Sequence, residues 1–326
     1  MRFVLAGSGF RAATIHRVAS VLPELSCVGA VVRVPGRCAL PVPAFDDLAR
    51  CVAATRPDFL VTAVPRTANP GLIIAAAGLG LPVLAETPPA ADEAGLRALL
   101  AAVGESAPVQ VAEQYPLMPT HAARLAAVRS GIIGTPTQVQ VSSTQQHHAV
   151  ALIRAYLGAG HEPAVIRAVR TVAPLVDPLD RGGWTDDPRP RPATTTIATL
   201  DFGAGRSGVY DFTTGQTRNM LRFRRLLVRG THGELRDDEI VHLPRARTVV
   251  RTPLTRHLGT ITLGDRVLHR DPYPDLRFND DEIATATLLQ ATALWVRGAG
   301  PPPYPLIEGV RDHELALAVE RAASGR

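Results

Sequence analysis

The sequence contains no lysine. All 35 of its basic side chains are therefore arginines, and they give a formal net charge of +5 at pH 7. A positive charge can indicate a nucleic-acid partner, but these arginines are scattered along the chain. Only Arg222, Arg224 and Arg225 cluster, and they are interleaved with Leu and Phe as residues of a strand are. The charge pattern therefore predicts no nucleic-acid partner.

Cysteine is also scarce. Cys27, Cys38 and Cys51 are too few and too irregularly spaced for a disulfide framework or a metal knuckle. The sequence has no HExxH motif and no cluster of acids at ligand spacing, so we expect no metal site.

Long apolar runs are missing as well. None approaches the roughly 18 to 20 residues that span a bilayer, so we expect no membrane role. Met1 leads directly into a strand-like stretch, without the charged region and long apolar core of a signal peptide. With 46% hydrophobic and 20% charged residues, the composition is that of a soluble globular protein, which we expect in the cytoplasm.

The pattern of strands and helices predicts two domains, residues 1–113 and 114–326. In the first, short Val- and Leu-rich runs alternate with helices, which is typical of a doubly wound parallel sheet, the Rossmann α/β architecture. In the second, strands with period-two alternation are joined by short glycine-containing turns. This pattern favours an α+β domain on an open, mainly antiparallel sheet.

A glycine-rich turn follows the first strand and opens the first helix. It reads Gly7-Ser8-Gly9-Phe10-Arg11-Ala12, a GxGxxA pattern. Here the first glycine permits a tight turn, the second admits a pyrophosphate, and the helix N-terminus faces the phosphates. These residues predict a dinucleotide site, the alternative being a tight turn without a ligand.

The end of the second strand predicts which dinucleotide binds. NAD-binding proteins usually place Asp or Glu there to hold the ribose hydroxyls, whereas this chain has Arg33 and, further on, Arg37. A guanidinium matches the geometry of a 2′-phosphate. We therefore expect NADP(H), with NAD(H) possible; the alternative is that Arg33 is only a solvated residue.

Two further motifs carry a family resemblance. The third strand leads into Val64-Pro65-Arg66-Thr67-Ala68-Asn69, and the fourth ends in Glu86-Thr87-Pro88. With the glycine turn, they resemble the Gfo/Idh/MocA oxidoreductases over nearly the whole chain. The resemblance implies that Val64, Pro65, Asn69 and Glu86 lie at the nicotinamide half of the cofactor. It also implies a small-molecule substrate bound between the domains, and a homodimer or homotetramer formed through the open sheet.

The resemblance fails at the residue that handles the proton. The family has Glu-Lys-Pro, but Thr87 occupies the lysine position. The Thr87 hydroxyl is a candidate catalytic group that could donate or relay a proton, although it is too weakly acidic to act as a base near pH 7. If His148 matches the family histidine, then Thr144 and Ala151 stand where acids are expected. The usual sugar dehydrogenase mechanism therefore does not carry over.

Four side chains are candidates for the remaining roles. Tyr115 could protonate a carbonyl or imine as hydride arrives, or it could simply pack between domains. His148 titrates in the range for acid or base work, or it could position the substrate. His147 and Arg154 are candidate substrate ligands, although an arginine on a helix is more often solvated.

These residues favour an NADP(H)-dependent oxidoreductase acting on a C=O/CH–OH or C=N bond of a small polar metabolite. The imine version, an imine reductase, gains support from the missing lysine because an imine nitrogen is more basic than a carbonyl oxygen. One alternative is a non-redox or cofactor-recycling enzyme of glycosidase or lyase type on the same fold. The other is a non-catalytic dinucleotide-binding protein.

Overall fold

The structure is a computed structural model that describes residues 1–180, 183–187, 189–244 and 247–325. The chain divides into two compact units. The first contains Met1–Met118 and Pro272–Arg311, and the second contains Pro119–Asp271 and the chain from Asp312 onward. The prediction divided the chain after residue 113, whereas the first unit runs to Met118 and also contains residues 272–311.

The N-terminal part of the chain alternates strands with helices. The elements are β1 (Arg2–Ala6), α1 (Phe10–Ser20), β2 (Ser26–Val31), β3 (Ala44–Phe45), α2 (Leu48–Thr55), β4 (Phe59–Thr62), α3 (Asn69–Gly78), β5 (Val83–Ala85), α4 (Glu93–Val103) and β6 (Val109–Val111). Their six strands form one parallel sheet in the order β3-β2-β1-β4-β5-β6. This confirms the predicted doubly wound α/β sheet.

The rest of the chain is rich in strands. The elements are α5 (Pro119–Arg129), β7 (Pro136–Ser142), α6 (Gln146–Leu157), β8 (Val165–Leu175), β9 (Leu179–Asp180), β10 (Gly183–Trp184), β11 (Arg191–Asp201), β12 (Ser207–Thr213), β13 (Arg225–Gly230), β14 (Gly233–Arg236), β15 (Glu239–His242), β16 (Val250–His257), β17 (Thr260–Leu263), β18 (Arg266–Arg270), α7 (Asp280–Val296) and α8 (Leu306–Ala323). Ten strands form a sheet in the order β18-β17-β16-β15-β14-β13-β7-β12-β11-β8, antiparallel except where β12 joins β7. The predicted mainly antiparallel sheet is confirmed.

Helix α7 belongs to the first unit because its apolar side packs into the core beneath that unit's sheet. Ile283 and Leu289 share one buried cluster with Phe3 of β1 and Val18 of α1. The helix begins with a capping box, in which Asn279 accepts from the Glu282 backbone and the Glu282 side chain accepts from the Asn279 backbone. Such a box satisfies amides that the first turn leaves unpaired.

In the second unit, α6 packs closely on the inner face of the sheet. A Cβ on Gly208 of β12 would lie 2.5 Å from a methyl carbon of Ile153, so only glycine allows this approach. The outer face of this sheet is open to solvent. Its exposed apolar residues include Val165 and Val169 of β8 and Ile197 of β11.

Within the described part of the chain, no helix is both long enough and apolar enough to cross a membrane.

Candidate dinucleotide site

The turn between β1 and α1 requires glycine at its first position. Gly7 has φ +117°, and a Cβ there would lie 2.3 Å from the carbonyl oxygen of Ala63, at the end of β4. The Gly7 amide donates to the Val31 carbonyl at 2.9 Å, which ties the turn to β2. The tight turn predicted from the sequence is therefore held between the two strands that flank β1.

The space around Gly9 is open, whereas the space around Gly7 is crowded. It is the N-cap of α1, has φ −80°, and a Cβ built on it would meet no atom within 4 Å. No side chain caps the helix, so none of the orphan amides of its first turn is satisfied in that way. An uncapped helix N-terminus beside open space favours an anion.

A cavity of about 550 Å³ lies over this turn. It is at the carboxyl ends of β1, β2 and β4, where strand order reverses and open α/β sheets bind their ligands. Its lining residues are Gly7, Ser8, Gly9, Val31, Val32, Arg33, Asp46, Ala63, Val64, Pro65, Thr67, Ala68 and Leu72. The structure thus brings together six predicted cofactor residues, namely Gly7, Ser8, Gly9, Arg33, Val64 and Pro65.

Five other predicted cofactor residues do not line this cavity. Phe10, at the start of α1, is 89% exposed, and Arg37 is exposed in a 3-10 turn. The side chains of the remaining three residues form hydrogen bonds within the first unit. They are Arg11, Asn69 and Glu86.

Arg11 is paired with two carboxylates. Its guanidinium donates to Glu86 at 2.9 Å and to Asp281 of α7 at 3.2 Å. Burial by itself would lower the pKa of Arg11, but the charges of Glu86 and Asp281 outweigh it and raise the pKa. Arg11 and Glu86, both predicted to bind the cofactor, are therefore held by each other and by α7.

Asn69 is buried and links two loops of the sheet edge. Its side-chain oxygen accepts from the Thr62 hydroxyl at 2.6 Å, and its amide donates to the Glu86 carbonyl at 2.8 Å. The Glu86 amide donates back to the Thr62 hydroxyl at 3.0 Å. Asn69 is only 1% exposed, and its hydrogen bonds hold the loop after β5 against the end of β4.

Thr87, the middle residue of the Glu86-Thr87-Pro88 motif, is hydrogen-bonded to its neighbour. Its hydroxyl donates to the Glu86 carboxylate at 3.3 Å, and its amide donates to the same oxygen at 3.1 Å. A hydroxyl that already donates to a carboxylate has only lone pairs left to offer. Thr87 can therefore accept a hydrogen bond here but is not a ready proton donor.

Tyr115 lies in a 3-10 turn after β6, still within the first unit. Its amide donates to the Glu113 carboxylate at 3.1 Å. The preceding residue, Gln114, is 8% exposed and donates to Asp281 at 3.2 Å, so the turn is anchored to α7. Tyr115 is half-buried at the carboxyl edge of the parallel sheet.

The two candidate histidines are at the start of α6 in the second unit. Their rings lie 4.2 Å apart, and His147 also meets the edge of His313 at 5.6 Å. His147 is 7% exposed, whereas His148 is half-buried. The helix begins at Gln146, whose amide donates to the Tyr210 hydroxyl at 3.3 Å, and burial raises the pKa of Tyr210 to about 12. His148 is therefore the more accessible of the two.

Arg154, predicted to bind substrate, lies inside the second unit. It is 4% exposed, pairs with Asp312 of α8 at 2.7 Å and donates to the Gly160 carbonyl at 2.9 Å. The reason for the difference is that α6 is covered on this side by α8, which sequence periodicity did not show. Its guanidinium is therefore held in the interior of the second unit, and the predicted substrate contact stays a prediction.

Several solved structures share this architecture. An oxidoreductase from Agrobacterium radiobacter, in complex with NAD+, L-tartaric acid and magnesium, superposes with a TM-score of 0.73 at 16% identity, covering 100% of this chain and 97% of that one. The chain has the fold of this oxidoreductase.

Two dehydrogenases are comparably similar. A myo-inositol dehydrogenase from Corynebacterium glutamicum ATCC 13032 gives 0.69 at 19% identity, covering 100% and 97% of the two chains. The WlbA dehydrogenase from Bordetella pertussis, in complex with NADH and UDP-GlcNAcA, gives 0.67 at 18%, covering 100% and 96%. No protein-family model matches the sequence, and the comparison with curated proteins finds no match either. At these identities the likeness establishes the fold.

Sequence reasoning missed Asp46, Gln114 and Asp281 at the sheet edge. Asp46 lines the cavity, and Asp281 accepts from both Arg11 and Gln114. Asp281 lies in the acidic run Asp280-Asp281-Glu282 of the first turn of α7, where acids are typical of helix capping. Asp46 precedes the N-cap Asp47 by one residue, and nothing in that pattern separates a cavity residue from a cap.

Proposed function

We propose that this protein is a nicotinamide-dinucleotide-dependent oxidoreductase of the Gfo/Idh/MocA type. The observation that carries the proposal is the Gly7-Ser8-Gly9 turn, which pairs one crowded glycine with one open glycine beneath a cavity at the switch point of a doubly wound sheet. These features fit a pyrophosphate on the α1 N-terminus. The neighbours that hold NAD+ or NADH support the same assignment.

We further propose that NADP(H) binds more tightly than NAD(H). Arg33 is exposed in the cavity wall, and no acidic side chain of the described residues pairs with it, so its guanidinium is free to meet a 2′-phosphate. Arg37 lies close in sequence but outside the cavity.

These two arginines make a matched test. We expect Arg33→Gln to weaken NADPH binding by about 10-fold or more, since it removes a charge-assisted contact, while NADH binding changes little. Arg37→Gln removes the same charge outside the cavity and should change either affinity by less than about 2-fold. Calorimetric titration at fixed ionic strength measures both. An equal loss in the two variants would mean that net charge, not Arg33, sets the preference.

For the chemistry, we propose hydride transfer to or from a C=O/CH–OH or C=N bond of a small polar metabolite. When bound, the dinucleotide supplies or accepts the hydride. No lysine can move the proton, and Thr87 already donates to Glu86, so Tyr115 of the first unit and His148 of the second are the candidate proton carriers. The sugar-type ligands in the neighbours' names favour the carbonyl version, and the missing lysine favours the imine version.

One experiment separates this proposal from its alternatives. The purified protein is checked by absorbance and mass spectrometry for copurified nucleotide, and NADPH oxidation is followed with a panel of ketones and imines. Turnover that falls in Tyr115→Phe or His148→Ala, with NADPH affinity unchanged, supports redox catalysis. Tightly held nucleotide without net oxidation favours the cofactor-recycling enzyme. Failure to bind any dinucleotide overturns both enzyme assignments.

We also propose that the protein self-associates through the outer face of its large sheet. Val169 of β8 and Ile197 of β11 are register partners on that face and are 60% and 44% exposed. Exposed apolar rows on a flat sheet are typical of an interface. We expect light scattering to give a dimer or tetramer, and Val169→Asp to give a smaller species that still binds dinucleotide. A monomeric wild type would contradict this.

A further inference from the structure

Two oppositely charged residues follow neighbouring strands of the parallel sheet. Strands β2 and β3 pair in register, with Val31 opposite Phe45, and the Val32 amide donates to the Phe45 carbonyl at 2.8 Å. Continuing this register places Asp46 next to Val32, and Arg33 directly follows Val32. Both residues line the cavity over the glycine turn.

Asp46 is not needed to hold the fold together. The neighbouring Asp47 caps α2, accepting from the Arg50 amide at 2.7 Å. Among the described residues, the Asp46 side chain is paired with the Arg50 guanidinium alone, at 3.0 Å, and the two side chains are 56% and 72% exposed. Exposed pairs one helical turn apart contribute little to stability. The Asp46 carboxylate is therefore available to a ligand at little cost.

We propose that Asp46 and Arg33 are opposed selectivity residues for the ribose of the bound dinucleotide. Arg33 attracts a 2′-phosphate, whereas Asp46 repels it and accepts a hydrogen bond from a 2′-hydroxyl. The inference rests on the proposed dinucleotide site. It adds a residue after β3, whereas the acidic residue that usually selects NAD lies at the end of the second strand. Its consequence is a modest preference for NADP(H), because each charge offsets part of the other.

Arg50 influences the preference between NADP(H) and NAD(H) through its ion pair with Asp46. While it pairs with Asp46 it screens the carboxylate and adds positive charge near the cavity wall. Removing Arg50 therefore strengthens the effect of Asp46. Two substitutions in one ion pair are thus expected to move the selectivity in opposite directions, which a general loss of local structure would not do.

The test is a set of calorimetric titrations with NADPH and with NADH, at one ionic strength, on the full chain. We expect Asp46→Asn to raise the NADPH-to-NADH affinity ratio by about 5- to 10-fold, the scale of one charge–charge interaction in a partly solvated site. Arg50→Gln should lower the same ratio by about 2- to 5-fold.

Glu105→Gln is the matched control. Glu105 is exposed and precedes β6, at the opposite edge of the sheet, so its neutral variant changes net charge without touching the cavity. The ratio should stay at its wild-type value. An unchanged ratio in Asp46→Asn, or an equal change in Glu105→Gln, overturns the role of Asp46 while leaving the dinucleotide site in place. If the wild type binds neither nucleotide, the proposed function itself fails.

Discussion

The Gly7→Ala variant is expected to lose about 2 to 4 kcal/mol of unfolding free energy and all measurable dinucleotide affinity. The added Cβ would lie 2.3 Å from the Ala63 carbonyl oxygen and 2.9 Å from its carbon, and both atoms belong to backbone that cannot rotate away. The residue also has φ +117°, where an L side chain is strained. Relief requires β1 and β4 to move apart, at the centre of the six-stranded sheet.

Gly9→Ala is the control, because it separates folding from binding. Its Cβ meets nothing within 4 Å, and its φ of −80° is ordinary, so the midpoint of thermal unfolding should stay within about 2 °C of wild type. NADPH affinity should nevertheless fall by about 100-fold, since the methyl group occupies the space that the pyrophosphate needs. Thermal unfolding measures the midpoint, and calorimetric titration measures the affinity for NADPH. A Gly9→Ala protein that binds NADPH normally would show that the turn does not hold the phosphates.

The second large effect is expected at Arg154. Arg154→Met removes the guanidinium that lies 2.7 Å from the Asp312 carboxylate inside the second unit, where the two side chains are 5% and 2% exposed. Breaking a buried pair from one side costs about 3 to 5 kcal/mol, because the remaining charge stays desolvated. Urea denaturation followed by far-UV circular dichroism measures the loss.

An exposed pair of equal length provides the comparison. Arg225 contacts Asp211 at 2.7 Å, the same distance as in the buried pair, but Arg225 is 53% exposed. Arg225→Met should therefore cost less than about 1 kcal/mol. The double variant Arg154→Met, Asp312→Leu should regain part of the lost stability, since neither charge is then stranded. Similar losses from the two single arginine variants would contradict the buried ion pair.

Strongly patterned elements were predicted correctly from the sequence. The alternation of buried strands and helices predicted the doubly wound sheet. Strands β8, β16 and β18 carry no comparable pattern. Most of their residues are exposed, so they lack the clean apolar alternation that burial of one face imposes.

The candidate site divides in the same way. Gly7, Ser8 and Gly9 were predictable because the chemistry of the turn depends on three consecutive residues. The contacts of Arg11 with Glu86 and Asp281 were not, because they join residues up to 270 positions apart. Hydrophobic periodicity predicts which side of a helix or strand is apolar. It does not predict which distant carboxylate pairs with a buried arginine.

The sequence by itself determined the fold class, the glycine turn and the absence of a lysine, since these depend on local backbone geometry and composition. Only the tertiary structure decided that residues 272–311 complete the first unit, that Arg154 pairs with the buried Asp312, and that Asp46 and Arg33 line one cavity. The physical reason is that ion pairing and burial depend on distance in space. Distant segments come within contact only when the apolar faces of the sheets and helices pack together.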